Sequence, residues 1–392
     1  MNHFTETTTT GYGENIVNSF KGILFGILLI VGSIVLLSYN ENRSIKQTLA
    51  LEEMQSKIVT LKDTKYNPQY NKQPILIQGD VIPKQALKDS QFEVKSDGLS
   101  LHRKVEMYQW REDKSTRSED KLGGGTETVT TYDYVKEWSS REISSSSFKH
   151  LEKHKNPPMP FDAKTFTTDA NIGDFYLSQN IINHFGSSNT LSLSSMPKET
   201  NGFTNHQTFL YKGRDINSPA IGDIKISYTH MPRGDYSIIG MAKDKSVVAY
   251  HSLNDRDFLF VRAGKVSANQ IFQEEFTSNT ILTWILRGVG LVLMFIGFML
   301  VMGPLATLAK VIPMVGSLVE GASAIVAGVL TLLIGSIVIA IAWFASRPLL
   351  SLAIIGVGVG LTIVLGLFKK GDNQSLSSPP RRANGATPPP RR

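Results

Sequence analysis

The sequence predicts an α+β membrane protein in which four transmembrane helices, one N-terminal and three clustered near the C-terminus, flank a large β-rich extracytoplasmic domain. Four long, almost charge-free apolar runs predict the helices, because about 20 such residues are needed to cross a bilayer. Residues 40–280, between the first and second runs, begin with a predicted helical lead-in that has Leu51 and Met54 on its apolar face. The rest of this segment is rich in short β-branched and aromatic stretches that are typical of strands. The 392 residues include no cysteine, which excludes disulfides, thiolate metal sites and a cysteine nucleophile.

The first predicted transmembrane helix covers residues 21–39 and follows a cytoplasmic N-terminal tail at 1–20. Residues 22–37 contain no charged side chain. A cleaved signal peptide is the alternative, but the run is long for one and no small-x-small cleavage site follows it. The sequence therefore favours an uncleaved membrane anchor.

Three further runs predict transmembrane helices at 281–302, 322–344 and 349–368. Arg287 is the only charge in the first of these runs, and the other two have none. A helical hairpin buried in a soluble protein is the alternative. Three adjacent runs of this length argue against it.

Five residues are predicted to anchor these helices at the membrane interface, namely Trp284, Arg287, Trp343, Lys369 and Lys370. Indole rings and long basic side chains favour the headgroup level. Arg287 lies near the predicted outer end of its helix, so we expect its side chain to snorkel to the interface. A buried functional charge is the alternative for this residue.

The predicted orientation follows from the basic flanks, which stay on the cytoplasmic side. The tail at 369–392, which we expect to be disordered, has six Lys or Arg residues against one acidic residue, so it is predicted to be cytoplasmic. Four spans then place 1–20 and the link 303–321 in the cytoplasm. The short link 345–348 and residues 40–280 are placed outside.

The net charge of +7 lies almost entirely in the membrane part of the chain. Residues 40–280 carry 31 basic and 30 acidic side chains, so the surplus is in the spans, links and tails. Attraction to anionic lipid headgroups accounts for such charges. We therefore predict a lipid membrane, and no nucleic acid, as the partner of the basic residues.

Two strand patterns, at 105–110 and 129–138, predict a long β-hairpin with a mobile tip around the glycine triplet 123–125. A phosphate-binding loop is disfavoured, because no Lys-Ser/Thr pair follows the glycines.

Small residues on the predicted spans favour close approach of helices, within the chain or between copies. The glycines predicted to pack helices are Gly288, Gly290, Gly297, Gly328, Gly335, Gly356 and Gly360.

The sequence predicts no catalytic, cofactor-binding or metal-binding constellation. His150 and His154 have the i, i+4 spacing of a metal-binding helix, but lysines flank them and no third ligand follows, so a polar turn is favoured. An acid/base pair formed by carboxylates distant in sequence stays open as an alternative.

Several segments together resemble the transmembrane protein 43 family, also called LUMA. The most specific are VEMYQW at 105–110 and HKNP at 154–157. The residues that carry the resemblance are Asn40, Glu41, Arg43, Glu106, Tyr108, Trp110, Trp138, His154, Asn156, Pro157, Gly222 and Asp223. The resemblance extends from the first predicted span to the last.

The resemblance implies a non-enzymatic membrane protein that forms homo-oligomers and organises other membrane proteins, with no catalytic residue or cofactor. Eukaryotic members lie in the endoplasmic reticulum and inner nuclear membrane, with partners such as emerin and lamins. The lack of cysteine and the Pro/Arg-rich tail suit a bacterial member, for which the resemblance implies the inner membrane and a periplasmic domain.

We therefore expect a multi-pass membrane scaffold. Two alternatives stay open. One is a membrane-bound hydrolase with an acid/base site in the extracytoplasmic domain, which a cleft with converging Asp, Glu or His would favour. The other is a channel- or transport-associated subunit, which Arg287 facing the helix interior would favour.

Overall fold

The computed structural model describes residues 3–185 and 189–346. The features predicted beyond residue 346 lie outside the described residues, namely the end of the link 345–348, the span 349–368, Gly356, Gly360, Lys369, Lys370 and the tail 369–392.

Four helices are present in the described part of the chain, and three of them are long and apolar enough to cross a membrane. They are α1 (Tyr12–Lys57), α2 (Gln179–Ile182), α3 (Ala268–Ala309) and α4 (Pro313–Ser346). A β-rich region lies between α1 and α3 in the chain. The predicted α+β membrane fold class is therefore confirmed, with three of the predicted spans in the described residues.

The long helices extend well beyond the apolar runs. At about 1.5 Å per residue, the 46 residues of α1 measure about 69 Å, roughly twice the hydrocarbon thickness of a bilayer. The extra length of α1 is amphipathic, and its Ala50, Leu51 and Met54 are fully buried against the β-rich region. The predicted link 303–321 is also mostly helical, because α3 and α4 are separated only by a tight turn at 310–312.

Within the described residues, twenty strands form the β-rich region together with the N-terminal segment. They are β1 His3–Thr10, β2 Val59–Thr60, β3 Pro74–Pro83, β4 Leu87–Asp89, β5 Val94–Ser96, β6 Ser100–Asp120, β7 Thr126–Ser139, β8 Lys164–Thr167, β9 Ala170–Ile172, β10 Phe175–Leu177, β11 Asn189–Thr190, β12 Glu199–Thr200, β13 Phe203–Asn205, β14 Phe209–Lys212, β15 Ile224–Met231, β16 Gly234–Lys243, β17 Ser246–Val248, β18 Tyr250–His251, β19 Asp257–Phe258 and β20 Phe260–Ala263.

A nine-stranded sheet has the order β1-β7-β6-β15-β14-β13-β12, with β8 and β11 paired alongside. Its central strands β6 and β15 alternate buried and less buried residues, as expected for a sheet with one face on a core. Val105 of β6 lies opposite Ile226 of β15, and both are buried. The predicted strand 105–110 lies within β6.

A seven-stranded sheet has the order β2-β3-β9-β10-β17-β16-β20. Its longest pair, β3 and β16, is antiparallel, and Ile77 lies opposite Ile238 in their shared core. The pairs β4–β5 and β18–β19 form two small separate sheets.

One hydrophobic cluster joins the helices to the seven-stranded sheet. It contains Leu51 and Met54 of α1 and Phe272 of α3, packed on Leu76 of β3 and Ile239 of β16. Burial of such side chains stabilises by about 1.5–3 kcal/mol each. The long helices and the β-rich region are therefore one continuous packed unit.

The first residues of the chain differ from the predicted tail. The threonine-rich strand β1 pairs with the whole outer half of β7, from His3 opposite Asp133 to Thr10 opposite Thr126, and α1 begins directly afterwards at Tyr12. Strands β1, β7 and the outer half of β6 (111–120) form a polar ribbon. At about 3.3 Å per residue, the 14 residues of β7 give it a length of about 46 Å.

The tip of the ribbon, which was predicted to be mobile, packs against the helices. Asn15 donates its side-chain N–H to the Gly124 carbonyl at 3.0 Å, and Lys310 forms an ion pair with Asp120 at 3.1 Å. A Cβ atom at Gly124 would overlap the Tyr12 ring, and its backbone is left-handed at φ +81°, so glycine is required there. The predicted topology places the tip and these helix ends on opposite sides of the membrane. In the structure they share one end of the bundle, and the side of each stays a prediction.

Candidate functional site

A carboxylate is buried where α1, α3 and α4 meet. Glu41 of α1 accepts two hydrogen bonds from Arg287 of α3, at 2.6 Å from Nε and 2.8 Å from Nη2. Its Oε2 also accepts the indole N–H of Trp343 of α4 at 2.8 Å. Side chains from three helices therefore share one charged group.

This cluster is withdrawn from solvent on both sides of the ion pair. The Glu41 side chain is 1% exposed and that of Arg287 is 12% exposed. The planar guanidinium also lies over the Trp284 ring, 4.7 Å from its centroid. A buried charge is tolerated only when it is paired and hydrogen-bonded, and the bidentate geometry here meets that condition.

The structure therefore contradicts the expectation that Arg287 snorkels to the interface. Its guanidinium points into the helix interior because Glu41, two residues past the predicted end of the first span, supplies a counter-charge. Trp343 likewise turns its N–H inward to Glu41. Trp284 is 65% exposed, a position that suits the predicted interfacial ring.

Polar side chains continue from this cluster towards the β-rich region. The Asn40 amide donates to the Thr283 carbonyl at 3.1 Å, and the Thr283 hydroxyl donates to Ser44 at 2.8 Å. One turn further, the Asn279 amide donates to the Ser44 carbonyl at 2.9 Å and to the Thr48 hydroxyl at 3.1 Å. We call Glu41, Arg287, Trp343 and this ladder the polar seam.

The motif residue Arg43 lies beside the seam. Its Nη2 donates to the Thr283 hydroxyl at 3.2 Å and lies 3.5 Å from the Asn40 side-chain oxygen. All three motif residues of the Asn40-Glu41-x-Arg43 segment are therefore placed at the contact of α1 with α3.

Some of the predicted packing glycines lie beside the seam. A Cβ at Gly297 would meet the Gly26 carbonyl oxygen at 2.8 Å, and one at Gly290 would meet the Leu37 side chain at 2.7 Å. Gly335 of α4 similarly approaches a leucine of α3. Small residues at these positions let α1, α3 and α4 approach closely.

Gly288 and Gly328 differ from this expectation within one chain. A Cβ at either position meets no atom of the described residues within 4 Å. Both face away from the neighbouring described helices, so neither sets the spacing of α1, α3 and α4.

The other motif residues converge in the nine-stranded sheet. The Asn156 side-chain amide accepts from the Trp110 backbone N–H at 2.7 Å and donates to the Trp110 carbonyl at 2.8 Å. It thus forms the two backbone hydrogen bonds that a neighbouring strand would otherwise form. The Gly222 N–H donates to the Tyr108 carbonyl at 2.9 Å, and a Cβ at Gly222 would meet the Pro157 ring at 3.1 Å.

The remaining motif side chains support the same area. The Asp223 carboxylate accepts a hydrogen bond from the Tyr211 hydroxyl at 2.6 Å. Burial, together with this hydrogen bond, raises the pKa of Tyr211. Trp138 and Tyr108 have ring centroids 5.3 Å apart. Glu106 forms an ion pair with Lys104 at 2.7 Å.

The motif histidine His154 is buried, and its ring stacks on Tyr134 at 3.8 Å between centroids. Tyr134 in turn binds Glu112 through its hydroxyl at 2.5 Å. The HKNP and VEMYQW segments thus hold the base of the ribbon on the sheet.

Acidic side chains also have close polar neighbours outside the seam, and His3 forms an exposed pair with Asp133 at 2.6 Å. Glu112 is occupied by the Tyr134 hydroxyl and the Lys149 backbone N–H. His251 lies between Asp255 and Asp257, but all three side chains are largely exposed on a hairpin and line no cleft. Within residues 3–185 and 189–346, no group of three His, Asp or Glu residues is arranged to hold a metal ion.

Sequence reasoning named Glu41 and Arg287 separately and missed their pairing, because they are 246 positions apart. It also missed Asn279 and Thr283. A signal was present, since Asn279, Thr283 and Arg287 recur every four residues and thus lie on one face of α3. A polar stripe at that spacing leading into an apolar run indicates a partner helix.

Comparisons with known proteins agree on one family. The family model described as transmembrane protein 43 matches residues 107–348. Transmembrane protein 43 of Homo sapiens is 29% identical over 370 residues, covering 89% of this chain and 90% of the relative. The Drosophila melanogaster homolog is 25% identical over 344 residues, covering 86% and 91%. No solved structure matches the chain.

Proposed function

The chain belongs to the transmembrane protein 43 family, and from that premise we propose that it is a non-enzymatic multi-pass membrane scaffold. In this proposal it self-associates and organises membrane protein complexes through its extracytoplasmic domain. The observation that carries the proposal is the rigid connection between helices and domain. The polar seam fixes α1 against α3 and α4, and the Leu51–Met54 cluster fixes the same helices to the seven-stranded sheet.

A rigid connection is what a scaffold needs. A domain held at one height and orientation above the membrane is already ordered before it meets a partner. Binding therefore costs less conformational entropy. A flexible tether would give no such advantage. The proposed partners are a second copy of this chain, other membrane proteins and the lipid membrane itself.

The support for self-association is an open notch on α4. A Cβ at Gly328 would meet no atom of the described residues within 4 Å, and the position lies between the exposed side chains of Ile325 and Leu332. A small residue flanked by exposed apolar side chains suits close approach of a helix from another copy. We therefore place the contact between copies at this face of α4.

Self-association is tested by native mass spectrometry of the full chain in mild detergent, combined with crosslinking in cells. We expect oligomers for the wild-type chain and a loss of them for Gly328→Leu, which fills the notch. Val329→Leu, which enlarges an already exposed neighbour, is the matched control and should keep the oligomer. Monomers alone in detergent, with no crosslinked partner in cells, would overturn the proposal.

The chain is a membrane protein with several apolar helices, and the compartment is part of the proposal. We propose the endoplasmic reticulum and inner nuclear membrane in a eukaryotic host, or the inner membrane in a bacterial host. Fractionation of a tagged full-length chain from its own host tests this. Recovery in a different membrane would overturn the assignment.

A second candidate function, a channel- or transport-associated subunit, is favoured by one observation. Arg287 faces the helix interior, where its side chain is 12% exposed, as expected of a functional intramembrane charge. Both Glu41 oxygens are nevertheless occupied by donors of the protein, which favours a fixed structural pair. Ion flux through proteoliposomes that is abolished by Glu41→Gln would support the transport function, whereas absence of flux would leave the scaffold.

A further inference from the structure

A groove opens beside α1 at the level where its charge-free part changes to the polar continuation. Its volume is about 500 Å³. Ile34 and Val35 line its apolar part, and Arg43, Lys46 and Arg256 line its other part. Arg256 comes from the loop between β18 and β19, so the β-rich region closes the groove from above. The groove is therefore apolar at one end and cationic at the other.

The three cations form no ion pair with any residue in the described ranges 3–185 and 189–346. The Nε atoms of Arg43 and Arg256 are buried and have no hydrogen-bond partner there. The positive charge of Arg256 also acts unfavourably on that of Arg43. Like charges that are partly withdrawn from water need a counter-ion.

The nearest carboxylates are already occupied. Glu41 is held by Arg287, and Asp255 and Asp257 both bind His251. No carboxylate lines the groove among the described residues. An anion that enters the groove would therefore meet positive charge that no carboxylate in this part of the chain neutralises through an ion pair.

The length of the groove matches a membrane lipid. From Val35 to Lys46 the helix rises about 16 Å, at about 1.5 Å per residue. The headgroup layer is only about 5–8 Å thick on each side, so with Lys46 at headgroup level Val35 lies inside the hydrocarbon layer. A free phosphate ion would leave Ile34 and Val35 uncovered.

We propose that this groove binds one anionic phospholipid. Its phosphate lies among Arg43, Lys46 and Arg256, and its acyl chains lie along Ile34 and Val35. The site is independent of the scaffold function, since it requires neither a second copy nor a partner protein.

The test is native mass spectrometry of the full-length chain in mild detergent, titrated with phosphatidylglycerol or with phosphatidylcholine of the same acyl chains. We expect the wild-type chain to retain phosphatidylglycerol in preference to phosphatidylcholine. Lys46→Gln/Arg256→Gln should lower phosphatidylglycerol affinity about fivefold for each cation removed. Arg43 is left intact because it also binds Thr283. Lys62→Gln/Arg141→Gln removes the same charge from exposed positions outside the groove and should keep the wild-type affinity.

Three results would overturn the proposal. The first is equal binding of the two lipids by the wild-type chain, a result that does not depend on whether any variant folds. The second is an equal loss of affinity in the control and groove variants, which would indicate a general charge effect. The third is displacement of the lipid by an excess of inorganic phosphate, which would assign the site to a free anion. Circular dichroism of each variant checks folding, and Lys46→Gln alone replaces the double variant if that variant unfolds.

Discussion

Removing the partner of the buried Glu41 carboxylate should destabilise the helix bundle strongly. In Arg287→Gln the carboxylate, which is 1% exposed, loses both guanidinium hydrogen bonds and keeps only the Trp343 indole N–H. Leaving a buried charge without its counter-ion costs about 3–5 kcal/mol. At about 2–4 °C per kcal/mol, the apparent melting temperature should fall by roughly 6–20 °C.

The double variant Glu41→Gln/Arg287→Gln tests whether the loss of stability comes from the uncompensated Glu41 charge or from loss of the pair itself. A neutral amide at position 41 can still accept the Trp343 N–H, and no uncompensated charge remains. We therefore expect the double variant to recover more than half of the stability lost in Arg287→Gln, because removal of both charges is often nearly neutral.

The assay is thermal unfolding of the full chain in detergent at one fixed scan rate, followed by tryptophan fluorescence, since membrane proteins often unfold irreversibly. The control is Arg233→Gln, which breaks a surface pair with Asp80 whose side chains are 56% and 43% exposed. That pair should contribute less than about 1 kcal/mol. A melting temperature for Arg287→Gln equal to that of Arg233→Gln would refute the reasoning, as would a double variant no more stable than Arg287→Gln.

Three other predictions concern packing, topology and pH. Gly297→Leu should lower the melting temperature by several degrees, because even its Cβ would lie 2.8 Å from the Gly26 carbonyl, whereas Gly288→Leu should leave it nearly unchanged. In this cysteine-free chain, Asp120→Cys and Lys310→Cys introduced together should be joined by a short bis-maleimide, because the native side chains form an ion pair at 3.1 Å. Burial, with the hydrogen bond to Glu112, raises the pKa of Tyr134 to about 12 from 10. The neutral phenol is thus favoured by folding, so its contribution is complete below pH 10 and is lost as pH rises towards 12. Tyr134→Phe should therefore show a smaller loss of stability over that interval than the wild-type chain does.

Each of these has a clear contrary result. Equal melting temperatures for the two glycine variants would contradict the α1–α3 contact. A cysteine pair that is labelled from opposite sides of the membrane, and not crosslinked, would show that the ribbon tip leaves the helix ends in the bilayer. Alkaline unfolding that is identical with and without the Tyr134 hydroxyl would assign the pH dependence to other groups.

The fold class could be predicted from sequence because each apolar run carries its own evidence. Residues 22–37 lack any charge, and the strands around Val105 and Tyr134 alternate by burial, so local composition was sufficient. The helical continuation after Tyr39 could also be predicted, because Leu51 and Met54 belong to one apolar helical face. The sheet that buries this face could not, since strands β3 and β16 come later in the chain.

The candidate site could be predicted only as isolated residues. Arg287 was recognisable because it is the only charged residue in its apolar run. Its partner Glu41 lies just after a different apolar run and looks like an ordinary interfacial charge. Pairing of this kind depends on which helices become neighbours, and that is set by tertiary packing. The role of Asn156 was hidden for the same reason, since its amide completes the hydrogen bonds of Trp110, a residue 46 positions away.

The separation of Glu41 from Arg287 also sets an order of events during synthesis. A ribosome adds about 5–20 residues per second, so synthesis from Glu41 to Arg287, a separation of 246 positions, takes about 12–50 s. During that interval the first helix has entered the membrane while its carboxylate has no counter-charge, and only water can solvate it. The β-rich region therefore has time to fold before α3 arrives, and the helix bundle closes as a late step of biogenesis.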